Sequence, residues 1–456
     1  MFLQKIKKFF SSILAFFNKK YISAKQIILE GDKKVTASFF VMGLGQIMYK
    51  QYIKGFIYLA IQIMFIVYFV LTGASDLFGF FTLGSKESNE WYGIQGDNSI
   101  IMLIMGILAI LLLIFYLVLY ISNIKDCYRT QCAYDTLRKV EGFKKDINNL
   151  LDKSFYKTAL ALPVVGVTVF SILPIIFMIL IAFTNYGGDT IPPALVDWVG
   201  FSNFKKILSL GQFAPTFFKI FGWNMIWAIL STFINYFAGL GLALLFNKKC
   251  VKGKVIWRAF PILAYAIPGF ITLLGFKFMF SYGGPINYYI SLMGGDKIGF
   301  LGLNAKWSSR IIGLCINAWI SVPSTMLLAT GILSNINNDL FEAARVDGAS
   351  SFRQFRKITL PYVIFATTPV LISQFIGNFN NFGIFYFLRG GLYSDGYFLA
   401  SDTDLLINWL YNMSIDNNYY SVGAAISLVI FIITSIISLT VYVLSPAYKQ
   451  EETFRW

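Results

Sequence analysis

The sequence has no histidine, four cysteines and few charges: only 13% of its 456 residues are Asp, Glu, Lys or Arg. The missing imidazole argues against most zinc hydrolases and against any mechanism that needs a histidine base. Cys127, Cys132, Cys250 and Cys315 are too few and too scattered for a disulfide framework. Cys127 and Cys132 also stand too far apart for a C-x-x-C pair, so all four read as reduced structural residues. No G-x-x-x-x-G-K-[ST] stretch occurs, which leaves the chain without a phosphate-cradling loop for ATP. Internal repeats and low-complexity tracts are absent as well.

What remains is apolar. Hydrophobic residues make up 57% of the chain and aromatics 18%, with a mean hydropathy of +0.64. A soluble domain with so few charges cannot hide that much apolar surface. Eight runs are long enough to cross a bilayer as helices, near 55–72, 99–121, 159–183, 220–246, 259–281, 311–333, 363–385 and 422–444. The pattern predicts an all-α integral membrane protein with about eight transmembrane helices. The opening MFLQKIKKFFSSILAFFNKK has a short apolar run and no small-residue cleavage site. It reads as a basic amphipathic segment on the membrane surface rather than as a signal peptide.

Lys and Arg set the expected orientation. Placing the N-terminus inside puts 29 of the 38 basic residues on cytoplasmic segments and eight on external ones, with Lys277 inside a run. That asymmetry obeys the positive-inside rule, makes both termini cytoplasmic, and accounts for the net charge of +15 without nucleic acid. Two parts are expected: residues 1–157, with the amphipathic start, two spans and a basic connector along the inner surface, and residues 158–456, a six-span core. The core carries a polar cytoplasmic loop at 334–361.

No run contains a carboxylate, and Lys277 lies about one turn from a helix end, where its stem can snorkel. Ion-driven carriers keep acidic or histidine side chains near the midplane, so coupling to a proton or sodium has no visible carrier here. Uncharged polar residues are more informative. NAWISVPS places Asn317, Ser321 and Ser324 at i, i+4 and i+7, and QFIGNFNNF places Gln374, Asn378 and Asn381 likewise, each on one helical face. Two readings stand: helix–helix glue, or a pocket for a neutral polyhydroxyl solute. Trp319 and Phe379 project away from those faces and look like packing. Prolines 163, 174, 261, 268, 323 and 369 can each bend a span.

The loop reads NNDLFEAARVDGASSFRQFRKITLP. Asn and Asp offer an N-cap, Gly348 permits a turn at positive φ, and Ser residues open a second helix that is expected to stop where Pro361 precedes the next span. An amphipathic connector on the membrane and a docking element for another protein both fit that pattern. The stretch resembles the EAA loop of ATP-binding-cassette importer permeases: Glu342, Ala343, Ala344, Gly348, Ile358, Leu360 and Pro361 fill each consensus position at the right spacing, with Asp347 beside the glycine. Residues 311–445 are similar to MalF-type subunits of maltose and maltodextrin importers through NAWISVP, DGASSFRQFRKITLP, NFNNF, TDLLINWLY and VGAAIS.

That resemblance implies a type I ABC importer permease fold. It also implies a partnership with a second, MalG-type permease, two ATPase subunits that bind ATP and Mg, and an extracellular sugar-binding lipoprotein. The chain itself would bind no cofactor and catalyse nothing. The loop would dock on an ATPase, and Asn317, Ile320, Asn378 and Asn381 would contact an oligosaccharide midway across the membrane. Ser321, Ser324 and Gly377 stand where the family has glycine, tyrosine and phenylalanine. The external segment 185–219 is far shorter than the periplasmic domain of the best-known member, which suits the plasma membrane of a bacterium without a periplasm. The alternatives are a permease for another sugar or a glycerol-phosphate-like solute, an ion-coupled secondary carrier, and a membrane enzyme or assembly scaffold.

Overall fold

The structure, a computed structural model, describes residues 24–444 apart from 89, 94, 138, 139, 141, 210 and 249. The amphipathic segment expected at the start of the chain lies outside the described residues. Among those described there is no strand beyond a single antiparallel bridge between Thr184 and Trp198. Among the described residues, seven continuous helices are long and apolar enough to cross a membrane: Tyr52–Thr82, Ser99–Thr136, Phe155–Ile181, Phe213–Asn247, Lys306–Ser334, Ser351–Arg389 and Tyr420–Leu444. The chain forms two compact units, one of residues 1–180 and 189–197 and one of residues 181–188 and 198–456.

In the first unit, α1 (Tyr52–Tyr68) continues through a π turn, while α2 (Ser99–Leu137) runs unbroken for 39 residues. The sequence suggested that α2 would end near 121 and that the basic connector would lie along the surface. Neither glycine nor proline occurs between Gly106 and Gly142, so nothing stops the helix, which reaches about 58 Å against a hydrocarbon core of about 30 Å. Only α3 (Phe143–Leu151) is a separate connector helix, leading into α4 (Phe155–Val167). The charged end of α2 is held by polar bonds. Asn123 accepts from the Gly43 amide at 3.1 Å, Gln46 donates to the Asn123 carbonyl at 3.1 Å, and Lys54 pairs with Asp126 at 2.8 Å. Around them Ile27, Val35, Tyr49, Ile124 and Cys127 form a small core.

The second unit is built on α5 (Phe213–Asn247). After it, the expected fifth span proves broken: α6 (Lys254–Ala266) and α7 (Gly269–Met279) meet at 92°. Pro268 is the cause. It has no amide hydrogen to continue the ladder, and it forces the preceding Ile267 into extended backbone, φ −79° and ψ 132°. Further helices of this unit include α8 (Lys306–Ser334), α9 (Asn338–Val346), α10 (Ser351–Gln354), α11 (Leu360–Phe379), α12 (Gly383–Arg389), α13 (Leu406–Tyr411) and α14 (Tyr420–Leu444). Packing between α5 and α8 is close because Gly239 has no side chain: a Cβ there would lie 2.6 Å from that of Thr325. Tyr236, Leu240, Met326, Ala329 and Val363 form one apolar cluster along this contact, and Trp223, Trp227, Leu273, Ile316 and Phe385 form another.

Candidate functional site

The polar loop is a helix–turn–helix, as its residues suggested. Asn337 caps α9 by accepting from the Asp339 amide at 3.0 Å. At the other end Gly348 takes φ +72°. There the Gly348 amide donates to the Arg345 carbonyl at 3.0 Å and the Ala349 amide to the Ala344 carbonyl at 2.9 Å. This bond pair is the Schellman arrangement, which satisfies carbonyls that the helix end would otherwise leave open. Glu342, Ala343 and Asp347 are exposed, and so are three apolar side chains, Leu340, Val346 and Phe352, the last two at 88% and 71%. The consensus pattern did not single out those three.

The second helix does not stop before Pro361. It passes from α10 through a π turn at Phe355–Thr359 directly into α11. The Leu360 amide reaches back five residues to the Phe355 carbonyl. That wider turn lets the helix continue where proline offers no donor and its ring crowds the preceding turn. Leu360 packs against the Tyr236 and Val363 cluster, and Ile358 is half-buried. The loop is therefore flanked by two long helices, α8 entering and α10–α11 leaving.

Those two helices meet again at the amides. Asn317 donates to Asn378 Oδ1 at 3.3 Å, Asn381 donates to Asn317 Oδ1 at 3.5 Å, and Asn378 donates to Thr232 of α5 at 3.0 Å. Asn317 and Asn378 are buried. Asn381 does not share a helical face with Gln374 and Asn378, because α11 ends at Phe379. It sits instead in the break before α12, where its Oδ1 also accepts from the Ile384 amide at 3.2 Å. A break in an apolar setting strands carbonyls, and α5 supplies the donors: Trp227 to the Asn378 carbonyl and Asn224 to that of Phe379, both at 3.1 Å. These α5 residues were missed. Their signal was a polar stripe through a span, Asn224, Ser231 and Asn235, beside two tryptophans.

The other expected residues are distributed differently. Gln374 donates to Thr325 at 2.9 Å, while its buried Oε1 has no protein partner. Ser324 turns back onto the Ser321 carbonyl at 2.8 Å, within α8. Ile320 packs against the tryptophan cluster. Gly377 is exposed, with nothing within 4 Å of where a Cβ would lie. Phe379 is a packed side chain as expected, but Trp319 stands 55% exposed.

Near the start of α8, away from the loop, a second polar cluster went unread in the sequence. Arg389 is buried; it donates to Asp402 at 2.6 Å, to Thr403 at 3.0 Å, and to the carbonyls of Gly302 and Leu303 at 3.0 and 3.2 Å. Arg310 lies 3.8 Å over the Trp223 ring and donates to the Asp402 carbonyl at 2.6 Å. Asp404, nearby, accepts from the Ser401 amide, and burial pushes its carboxyl up to about 7.

Residues 235–450 match the family described as "Binding-protein-dependent transport system inner membrane component". "Maltodextrin transport system permease protein MalC" of Streptococcus pneumoniae serotype 4 is 35% identical over 422 residues, 90% of this chain and 95% of that protein. "Galactooligosaccharides transport system permease protein GanP" of Bacillus subtilis strain 168 is 32% identical over 415 residues, 90% of this chain and 97% of that protein. A bacterial ABC transporter involved in the import of the acidic polysaccharide alginate shares the fold, with a TM-score of 0.53 at 20% identity, over 65% of this chain and 96% of that one.

Proposed function

Because this chain belongs to the MalF-type permease subunits of binding-protein-dependent ATP-binding-cassette sugar importers, we propose that it carries maltodextrin-class oligosaccharides. A permease subunit is not itself an enzyme. In this reading the chain forms the pathway with a second, MalG-type permease. ATP and Mg are bound by two separate ATPase subunits, and an extracellular sugar-binding lipoprotein delivers the solute. Residues 1–157 supply two of the spans and the basic connector, residues 158–456 form the transporting core, and both termini lie in the cytoplasm of a bacterium without a periplasm.

One observation carries the mechanism: an exposed, glycine-turned loop joins two continuous helices, and the same helices meet at the Asn317–Asn378–Asn381 seam. The ATPase cleft takes up Glu342, Ala343, Ala344 and Asp347 of α9, with Gly348 setting the angle, while Ile358, Leu360 and Pro361 tie the loop to the body. Closure of the ATPase dimer moves α9, and α8 and α11 shift where the amides join. Sugar hydroxyls then replace the bonds among Asn317, Asn378 and Asn381 and reach Gln374, at little net cost because one neutral hydrogen bond is exchanged for another. Ile320, Ser321, Ser324 and Gly377 complete the lining. Without the two aromatics of the family pattern, the pocket holds its sugar by hydrogen bonds more than by stacking.

GanP, 32% identical over the same share of the chain, supports galacto-oligosaccharide as a second reading. Both are tested in vesicles containing the full complex and its binding protein. ATP-dependent uptake of maltotriose, with little galactotriose, is the expected result. The reverse preference replaces the sugar, and uptake driven by an ion gradient without ATP sinks the mechanism.

A further inference from the structure

Three buried oxygens of the second unit have no donor among the described residues: Ser231 Oγ and Asn235 Oδ1 of α5, and Gln374 Oε1 of α11. Ser231 and Asn235 are 1% and 2% exposed and stand at i and i+4, so they share one face of α5. Gln374 already gives its Nε2 to Thr325 at 2.9 Å, and turning the amide over would only exchange a bare oxygen for a bare NH2 group. Helix–helix contact does not explain these atoms, because a polar oxygen enclosed without a partner opposes the packing around it.

The helices place them one layer from the seam. Thr232, next to Ser231, accepts from Asn378, which in turn accepts from Asn317. From Asn378 back to Gln374 is one turn of α11, a rise of about 6 Å toward the loop. On α8, Thr325 also lies on the loop side of Asn317. Arg310 lies over Trp223, and a Cβ on Gly239 would meet Thr325, so α5 and α8 run side by side in one direction at constant register. Asn235, one turn before Gly239, falls on that register between the levels of Asn317 and Thr325. Beyond the seam there is thus a second polar layer, displaced along the bundle by about the length of one pyranose ring. Its unused groups are acceptors. They repel an anion, and no carboxylate stands on α5, α8 or α11 to balance a cation. A neutral ligand rich in hydroxyl donors fits them.

We propose that Asn235 of α5, with Gln374, accepts hydrogen bonds from the second ring of an oligosaccharide whose first ring has parted the seam. The inference rests on the seam being the sugar's site, and it adds that the pathway holds two adjacent rings at once, the second through α5. ATP-dependent maltotriose uptake into vesicles holding the full complex and its binding protein tests this, with the melting temperature of the sugar-free complex measured alongside. Asn235→Leu with Gln374→Met keeps the side-chain shapes and removes the acceptors. Uptake falls about tenfold, as two neutral hydrogen bonds inside a membrane contribute. The melting temperature does not fall, because the oxygens removed serve no protein donor. Joined to Asn378→Leu and Asn381→Leu, the losses multiply, since the two layers hold different rings. Unchanged uptake in the layer variant, or a melting temperature that falls with uptake, returns the oxygens to helix packing and overturns the proposal. A quadruple variant no worse than the seam pair also overturns it, because the layer then acts only through the seam. Normal uptake in the seam pair is a separate failure: it removes the seam from the pathway, and this inference with it. Should the layer variant fail to accumulate, Asn235→Leu alone, with a loss of about threefold expected, decides by the same measurements.

Discussion

The turn at Gly348 separates backbone conformation from packing. Its φ is +72°, yet a Cβ there would meet nothing within 4 Å, so a substitution is penalised only by the left-handed backbone. For an ordinary L-residue that penalty is about 1–2 kcal/mol, greatest for β-branched side chains and least for asparagine. The series Gly348→Asn, →Ala, →Val therefore grades the strain without altering a contact. A strain of about 1–2 kcal/mol lowers the population of the turned loop by a factor of about 5–30. The two bonds that define the turn, from Gly348 to Arg345 and from Ala349 to Ala344, weaken with it, and α10 leaves α9 at the wrong angle. Each variant is to be co-expressed with its partners and reconstituted, with membrane levels measured by immunoblot. Binding-protein-stimulated ATP hydrolysis and sugar uptake should fall together in the order Asn, Ala, Val. A valine variant with normal stimulation and uptake refutes the reasoning. An asparagine variant as impaired as valine refutes it too, since the cause would then not be φ.

Glu342→Lys reverses a charge on an exposed face of α9, so the chain should insert normally while uptake and ATPase stimulation are lost; normal uptake at normal membrane levels would make the loop an idle connector. Asn378→Leu with Asn381→Leu strips Asn317 of both amide partners, each bond being worth about 0.6–1 kcal/mol, and should lower uptake severalfold while the ATPase still docks. Normal uptake in that double variant removes the seam from the pathway. Asp404 lies among Asp402, Arg389 and Asn412, and burial raises its carboxyl to about 7. The folded state thus holds its proton to higher pH than the unfolded state, and stability falls as pH rises from the ordinary carboxylate range to about 7, by about 2 kcal/mol between pH 5.5 and 8. Asp404→Asn should remove that fall and raise the melting temperature at pH 8 relative to wild type; equal pH dependence in both proteins contradicts the assignment.

What could be read from the sequence follows from how local its cause is. Gly348 with its flanking caps is a problem of eight or so residues, and the turn came out as the residues dictated. Seven spans are composition alone. The errors arise where a neighbouring element or one proline outweighs the local pattern. Pro268 broke a run that hydropathy treats as continuous, whereas Pro361, on the same chemistry, ended nothing because a π turn absorbed it. Helical spacing placed Asn381 beside Asn378 for the wrong reason: it reaches Asn317 from a break, not from a helix face. The pairing of Arg389 with Asp402 joins residues only 13 apart, but its remaining donors go to the carbonyls of Gly302 and Leu303. Backbone acceptors leave no residue-type signature, so that cluster had no motif to find.

The two polar clusters along α8 differ in kind, and the difference gives the helix a direction of response. At its start, Arg310 and Arg389 make charge-assisted bonds as short as 2.6 Å to Asp402, with further carbonyls satisfied around them. Such bonds are about twice as strong as neutral ones, and breaking one strands a buried charge. At the seam the bonds between α8 and the α11 end are neutral amide contacts of 3.3 and 3.5 Å, longer than the usual range of about 2.7–3.2 Å. In the proposed coupling, a displacement that enters through α9 would reach α8 across the short break at 335–337 and α11 across the Gly348 turn, after which α10 runs unbroken into α11. It meets the stiff anchor at one end of α8 and the weak amides between. Under that proposal the least costly relaxation would part Asn317 from Asn378 and Asn381 while the arginine cluster holds, and it would open polar groups in the apolar interior where a neutral, hydroxyl-rich solute could replace what they lose.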